Sequence, residues 1–343
     1  MTKIISLYNN KGGVAKTTTL FNLAVYAAKE RGKKVLLVDC DPQCNTTELF
    51  FCSSDQIDEP EDSLPGTSIY EALRPRFEGE ASRVDAKKVD LASSPLYSNL
   101  YLLRGDINFS RAEQFFANSI MQAITESIHE KNTYAVMGRL LRDLGGLHGF
   151  DYILCDVGPS AGSITRMVIL SCDGIFIPTA PDRFSHQAIL GMGAIMTEWL
   201  TRHRAILSTF APFGLSASLV EPVFYGAVVN NYKIQRAGRK KNSYLKWESL
   251  IKEAIINNLL DGKGLKPVAP EVKIEPFIAS IRDVGPMAPV AQMVGKAIFD
   301  IGQRDTELAS SDGDYYRGAV WSDWLARMGE YKEEVRKIFD AIR

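Results

Sequence analysis

The chain alternates short runs that are apolar throughout with longer stretches whose apolar residues recur every third or fourth position. Ile4-Ile5-Ser6-Leu7-Tyr8 is the first run, and it leads into a turn that holds Gly12 and Gly13. From Thr17 to Arg31, residues Leu20, Leu23, Ala24, Ala27 and Ala28 fall on one side of a helix, and Gly32 predicts its end. Val35-Leu36-Leu37-Val38-Asp39 reads as a second buried strand. Further runs at Leu100 to Leu103, Tyr152 to Val157, Gly174 to Thr179, Val223 to Asn230 and Pro276 to Ile281 predict strands. Arg111 to Leu144 reads as mostly helical, as do Ile164 to Leu170 and Gln187 to Arg204. Strands apolar on both faces that alternate with helices predict a doubly wound α/β fold with a mostly parallel sheet. Ser53 to Asp62 is acidic and polar and predicts a loop. Near the end, Trp321, Trp324, Leu325, Met328, Tyr331, Val335, Ile338, Phe339 and Ile342 recur at helical spacing among charges of both signs. That mixture fits docking on the core better than lying on an anionic bilayer.

Composition narrows the class. A chain of 343 residues, 45% of them apolar, can fill one large domain or two modest ones. A net charge of -1 excludes a global polycation, so any nucleic-acid contact needs a local basic patch. Five cysteines in this length make no disulfide framework and are expected as free thiols in a reducing cytosol. The first residues enter an apolar strand at once, so neither a signal peptide nor a preceding helix-turn-helix is expected. No apolar run reaches the roughly 18 residues of a spanning helix.

The chemistry concentrates in Asn9 to Thr19, NNKGGVAKTTT. A strand, a glycine-containing turn and a helix in succession point backbone N–H groups and a helix N-terminus at one spot, which suits an anion. Gly12 and Gly13 leave room for phosphate oxygens. Lys16 can reach the β- and γ-phosphates, and the Thr17 hydroxyl can ligate Mg²⁺. The usual glycine before the lysine is replaced by Ala15, which the turn accepts if its φ is negative.

Lys11-Gly12-Gly13-Val14-Ala15-Lys16-Thr17-Thr18 resembles the deviant Walker A loop, K-G-G-x-x-K-[ST], of the ParA/MinD family of P-loop ATPases. The resemblance implies that this segment binds ATP with Mg²⁺. It also implies that Lys11 crosses a dimer interface to nucleotide held by the other subunit, so that hydrolysis depends on a homodimer formed on ATP. Asp39-Cys40-Asp41-Pro42-Gln43-Cys44-Asn45 resembles the family's D-x-D-P-Q-x-N segment. By that match Asp41 positions the attacking water and Asp39 supports the metal shell; a helix cap is the alternative for Asp39. Asp151 to Ser160 is similar to the family's Walker B and second switch, which puts Asp156 at the Mg²⁺ site. Gly158 stands where proline is commoner. Asn230 and Asp283 follow late strands where the superfamily contacts the base, with turn capping as the alternative for Asn230.

The resemblance covers roughly residues 1–305, with insertions near 53–100 and 231–270, and leaves 306–343 as a C-terminal helical extension. Asn231 to Trp247 carries six basic residues and no acid, with Tyr232, Tyr244 and Trp247 between them. Arg236, Arg239, Lys240 and Lys241 are candidates for non-specific contact with DNA phosphates; a solvated loop is the alternative. The expected protein is a ParA-like ATPase, slow until stimulated by a ParB-like or cargo-adaptor partner, that partitions or positions cargo. A nucleotide-dependent switch or scaffold with little turnover is the alternative. A metal-cluster-handling relative ranks last for want of a paired-cysteine motif.

Overall fold

Residues 1–52, 64–80, 83–215, 219–232, 242–260, 262 and 264–342 are those that the computed structural model describes. The basic candidates Arg236, Arg239, Lys240 and Lys241 lie outside them. Apolar runs become strands: β1 Lys3–Leu7, β2 Val35–Asp39, β3 Ala92–Ser93, β4 Leu100–Leu103, β5 Tyr152–Asp156, β6 Gly174–Thr179, β7 Val223–Tyr232, β8 Lys266–Pro267 and β9 Phe277–Arg282. They join in one sheet in the order β3-β4-β2-β5-β1-β6-β7, with β8 and β9 both pairing to β7. Every pairing is parallel except β3 with β4. The register sets Val38 beside Cys155 and Asp39 beside Asp156, so two carboxylates leave neighbouring strands at one level.

The helices are α1 Lys16–Val25, α2 Asn45–Phe51, α3 Ile69–Phe77, α4 Ala112–Gln122, α5 Ile128–His148, α6 Ser163–Ile169, α7 Arg183–Leu207, α8 Asn242–Ala254, α9 Pro270–Ile274, α10 Met287–Met293 and α11 Gly318–Asp340. The first helix is shorter than its periodicity predicts: a π-helical turn, Tyr26–Glu30, succeeds it before Gly32 closes the segment at φ +61°. The long helical stretch from Arg111 is likewise two helices, because Ser127 caps α5 afresh by accepting from Glu130 N.

Two cores line the sheet. One face packs α3 to α7 through Phe116, Tyr134, Leu141, Met167 and Trp199. The other packs α1, α10 and α11 through Leu20, Leu23, Met287, Val335 and Ile338. On α11 the buried positions Trp324, Met328, Tyr331, Val335 and Ile338 form a single stripe laid against β9 and α1. Glu334 accepts from Ser280 N at 2.7 Å, satisfying a backbone donor of β9. Among the described residues, no helix is long and apolar enough to cross a membrane.

Candidate functional site

The C-terminal ends of β1, β2 and β5 open into a cleft of about 620 Å³. Its floor is the glycine turn: Gly12, Gly13, Ala15, Lys16, Thr17 and Thr18 all line it, with Asp41 and Gln43 on one side and Val157 and Pro159 on another. A Cβ built at Gly12 or Gly13 meets nothing within 4 Å, so the turn is an open cradle of backbone. Val14 is buried beneath it. Ala15 adopts φ +60°, the left-handed region, which corrects the expectation of a negative φ. The methyl group is tolerated there under strain that a glycine would not carry.

Lys16 is 8% exposed, and its ammonium donates to Asn9 O at 3.1 Å and Lys11 O at 3.3 Å. Burial lowers its pKa, against the opposing pull of Asp156 and Asp41. Lys11 goes elsewhere: its ammonium lies 2.6 Å from Asp182 Oδ2, at the start of α7, and donates to Ser185 Oγ at 3.1 Å. Asn9 fastens the turn to the neighbouring strand by donating to Pro178 O and accepting from Lys11 N.

Two carboxylates, Asp156 and Asp41, act on Lys16, and a third, Asp39, lies deeper at the end of β2. Asp156 Oδ2 accepts from Thr17 Oγ1 and from Thr46 Oγ1, each at 2.7 Å. Its other oxygen is buried with no hydrogen-bond partner. Burial pushes this carboxyl up to about 6, with Thr46, Thr17 and Lys16 pulling it down and Asp41 adding to the rise. An orphaned carboxylate oxygen beside the Thr17 hydroxyl at the mouth of the glycine turn is the donor set a hard divalent cation takes. The residues present therefore fit Mg²⁺ held with phosphate.

Asp39 is fully buried. Its Oδ2 accepts both N–H and O–H of Thr47 at 2.8 Å, and Oδ1 accepts from Asp41 N at 3.2 Å. Thr47 Oγ1 in turn accepts from Gly105 N at 2.7 Å. Burial, then the nearby charge of Asp156, raises Asp39 to about 7. As placed, Asp39 braces the turn after β2 instead of facing the cleft. Asp41 does reach the cleft, and its Oδ1 accepts from Gln43 N at 3.0 Å. A Cβ at Gly158 would come 3.2 Å from both Asp41 carboxylate oxygens, so the glycine in place of the commoner proline leaves Asp41 its room.

The two base-contact candidates are not on the cleft wall. Asn230 is 1% exposed and donates to Val14 O at 2.9 Å, holding the glycine turn from beneath. It lies inside β7, not at its end, which explains the difference. Asp283 closes its own turn by accepting from Gly285 N at 2.9 Å, in a separate depression with Arg282 and Arg327. The wall is formed instead by Leu49 and Cys52 of the α2 segment and by Gln292 of α10. Sequence reasoning also missed Thr46, Thr47, Asp182 and Ser185. The two threonines follow Asn45 directly, and hydroxyls one and two residues past a carboxylate-rich turn are the signal that was there to be read.

The parallel sheet, the glycine turn at the end of β1 and the acidic strand ends of β2 and β5 define a P-loop nucleotide-binding protein. A family profile described as an AAA domain matches residues 2–206, and the chain belongs to that family, within the ParA/MinD P-loop ATPases. It is 28% identical over 190 residues to the sporulation initiation inhibitor protein Soj of Bacillus subtilis, a match covering 55% of this chain and 62% of that protein. The chain thus spans about three-fifths of the length of such curated relatives. Among solved structures, protein DIP2308 of Corynebacterium diphtheriae superposes with TM-score 0.65 at 22% identity, over 86% of this chain and 97% of that one. The ATP complex of an aspartate-to-alanine variant of Cyanothece McdA superposes with TM-score 0.59 at 20% identity, over 99% and 96%. These two likenesses are of fold.

Proposed function

We propose that this chain is a Mg²⁺-dependent ATPase that dimerises around ATP and uses the cycle of binding and hydrolysis to partition or position cargo. The observation that carries the reading is the convergence of Lys16, Thr17 and Asp41 on one cleft, with Asp156 buried behind Thr17 and hydrogen-bonded to its hydroxyl, and a second lysine, Lys11, in the same turn. The N–H groups of residues 12–18 bind the phosphates, and Lys16 exchanges its contacts with Asn9 O and Lys11 O for β- and γ-phosphate oxygens. Thr17 and Asp156 hold Mg²⁺, which neutralises charge on the transferring phosphoryl group when bound. Asp41 orients the attacking water. Lys11 acts on nucleotide bound by the other subunit, as an arginine finger does, so that turnover waits for dimerisation. Leu49, Cys52 and Gln292 take the base side of the cleft, while Asn230 keeps the turn in shape from below.

Relatives named as chromosome-partitioning ATPases, 27% and 28% identical to this chain, support partition as the task, and we propose a ParB-like or cargo-adaptor protein as the stimulating partner. DNA is the surface we propose, contacted without sequence preference through Arg236, Arg239, Lys240 and Lys241. Two copies of the basic segment in one dimer add their phosphate contacts, so ATP should switch DNA binding on. The test measures ATP turnover and nucleotide-dependent mass for the wild type, Lys16→Ala and Asp41→Ala, with DNA mobility in ATP and in ADP. Lys16→Ala should abolish both activities. Asp41→Ala should trap an ATP-bound dimer. Mg-ATP that neither binds nor changes the oligomeric state would refute the reading. An unaltered salt dependence when Arg239, Lys240 and Lys241 are all changed to Ala would move the DNA contact elsewhere.

A further inference from the structure

We infer that Asp182, seconded by Ser185, parks Lys11 within its own subunit, so that the ATP-bound dimer assembles only as this ion pair opens. The inference deepens the function proposed above and rests on its reading of Lys11 as the residue that crosses the interface. Lys11 Nζ lies 2.6 Å from Asp182 Oδ2 and donates to Ser185 Oγ at 3.1 Å. Both acceptors are held by backbone. Asp182 Oδ1 accepts from Ser185 N at 2.7 Å as the cap of α7, and Ser185 Oγ accepts from Ala180 N at 3.2 Å. The dock for Lys11 is therefore built into the first turn of a 25-residue helix, unlike a chance pair of mobile side chains. Burial pushes the Asp182 carboxyl up, but the Lys11 and Ser185 hydrogen bonds outweigh it and leave the group below its usual range.

The pair is accessible to competition, because the two side chains are 24% and 41% exposed. A carboxylate at this distance offsets most of the field of the ammonium. Lys11 can present its full charge to a phosphate across an interface only after leaving Asp182, which is fixed to α7 and cannot follow. Each subunit thus resists pairing until a second nucleotide-loaded subunit supplies a stronger anion than Asp182. Asp182 is a positioning residue here, acting through Lys11.

Asp182→Asn tests this, because asparagine keeps the helix cap and removes the charge. Asp182→Ser does the same with a shorter side chain and serves if the first variant folds poorly. In the nucleotide-free monomer, acetylation of Lys11 followed by mass spectrometry should proceed about threefold faster in the variant, the shift expected of one partly exposed ion pair. Each dimer opens two such pairs, so the association constant measured by sedimentation in Mg-ATP should rise about tenfold. ATP affinity of the monomer and the melting temperature in ADP should stay at wild-type values. Unchanged Lys11 labelling overturns the dock. Faster labelling with unchanged or weaker dimerisation, in a protein whose wild type dimerises, overturns its role as a restraint. A wild type that does not dimerise in ATP overturns the reading of Lys11 on which the inference rests, and the labelling result still decides whether the dock exists.

Discussion

The rim of the nucleotide cleft and the seam beneath α11 are both buried, yet they are made of opposite materials. Just behind the rim, Asp39 and Asp156 are almost fully out of solvent, and Lys16 on the rim itself is nearly so. Under α11 the buried groups are Trp324, Met328, Tyr331, Val335 and Ile338. Removing a carboxylate from water costs free energy even when hydrogen bonds compensate, whereas each apolar side chain of the seam stabilises by about 1.5–3 kcal/mol. The rim holds charge ready for a charged ligand, and the fold can support that arrangement because it is anchored by apolar seams on both faces of the sheet.

That contrast can be broken at either end. The largest effect belongs to the seam. Ile338→Ala should lower unfolding free energy by about 3 kcal/mol in denaturant titration while ATP affinity of the folded protein is unchanged. A loss below about 1 kcal/mol would mean that α11 is not part of the cooperative core. Lys16→Ala should do the reverse, weakening ATP binding about 100-fold in calorimetry and leaving the denaturant midpoint close to wild type.

The rim should also reveal itself through pH. Asp39 and Asp156 titrate at about 7 and about 6 in the folded protein, above the ordinary 3.8. Between about pH 4 and pH 7 the folded chain therefore binds more protons than the unfolded one, so stability in the nucleotide-free state falls as pH rises through that window. Denaturant midpoints from pH 4.5 to 7.5 should show the decline, and Asp156→Asn should shrink it, because the change removes one raised carboxyl and the charge that helps raise the other. A midpoint that stays flat across the window would mean both carboxylates are already charged when folded. The smallest effect concerns the turn. Ala15→Gly should stabilise by about 1 kcal/mol, because glycine takes φ +60° without the steric conflict of a Cβ. No gain in melting temperature would show that the unfolded chain's added freedom cancels the relief.

Much of this protein is legible in its local sequence patterns. Continuous apolar runs can be buried on both faces only in a covered parallel sheet, so the strands from Ile4, Val35, Tyr152, Gly174 and Val223 announced themselves. The glycine pair, Lys16 and Thr17 announced the cleft, since those residue types at that spacing have few other uses. Local patterns end there. That Ala15 is left-handed, that Asp39 turns inward to Thr47, that Asn230 lies beneath the turn and that Lys11 rests on Asp182, 171 residues away, depend on which side chains the packed strands bring together. The sequence determined the elements and the loop chemistry, because periodicity and spacing act over a few residues. Only the tertiary structure decided the partner of each buried polar group, because hydrogen-bond satisfaction in a dry interior is settled by neighbours distant along the chain.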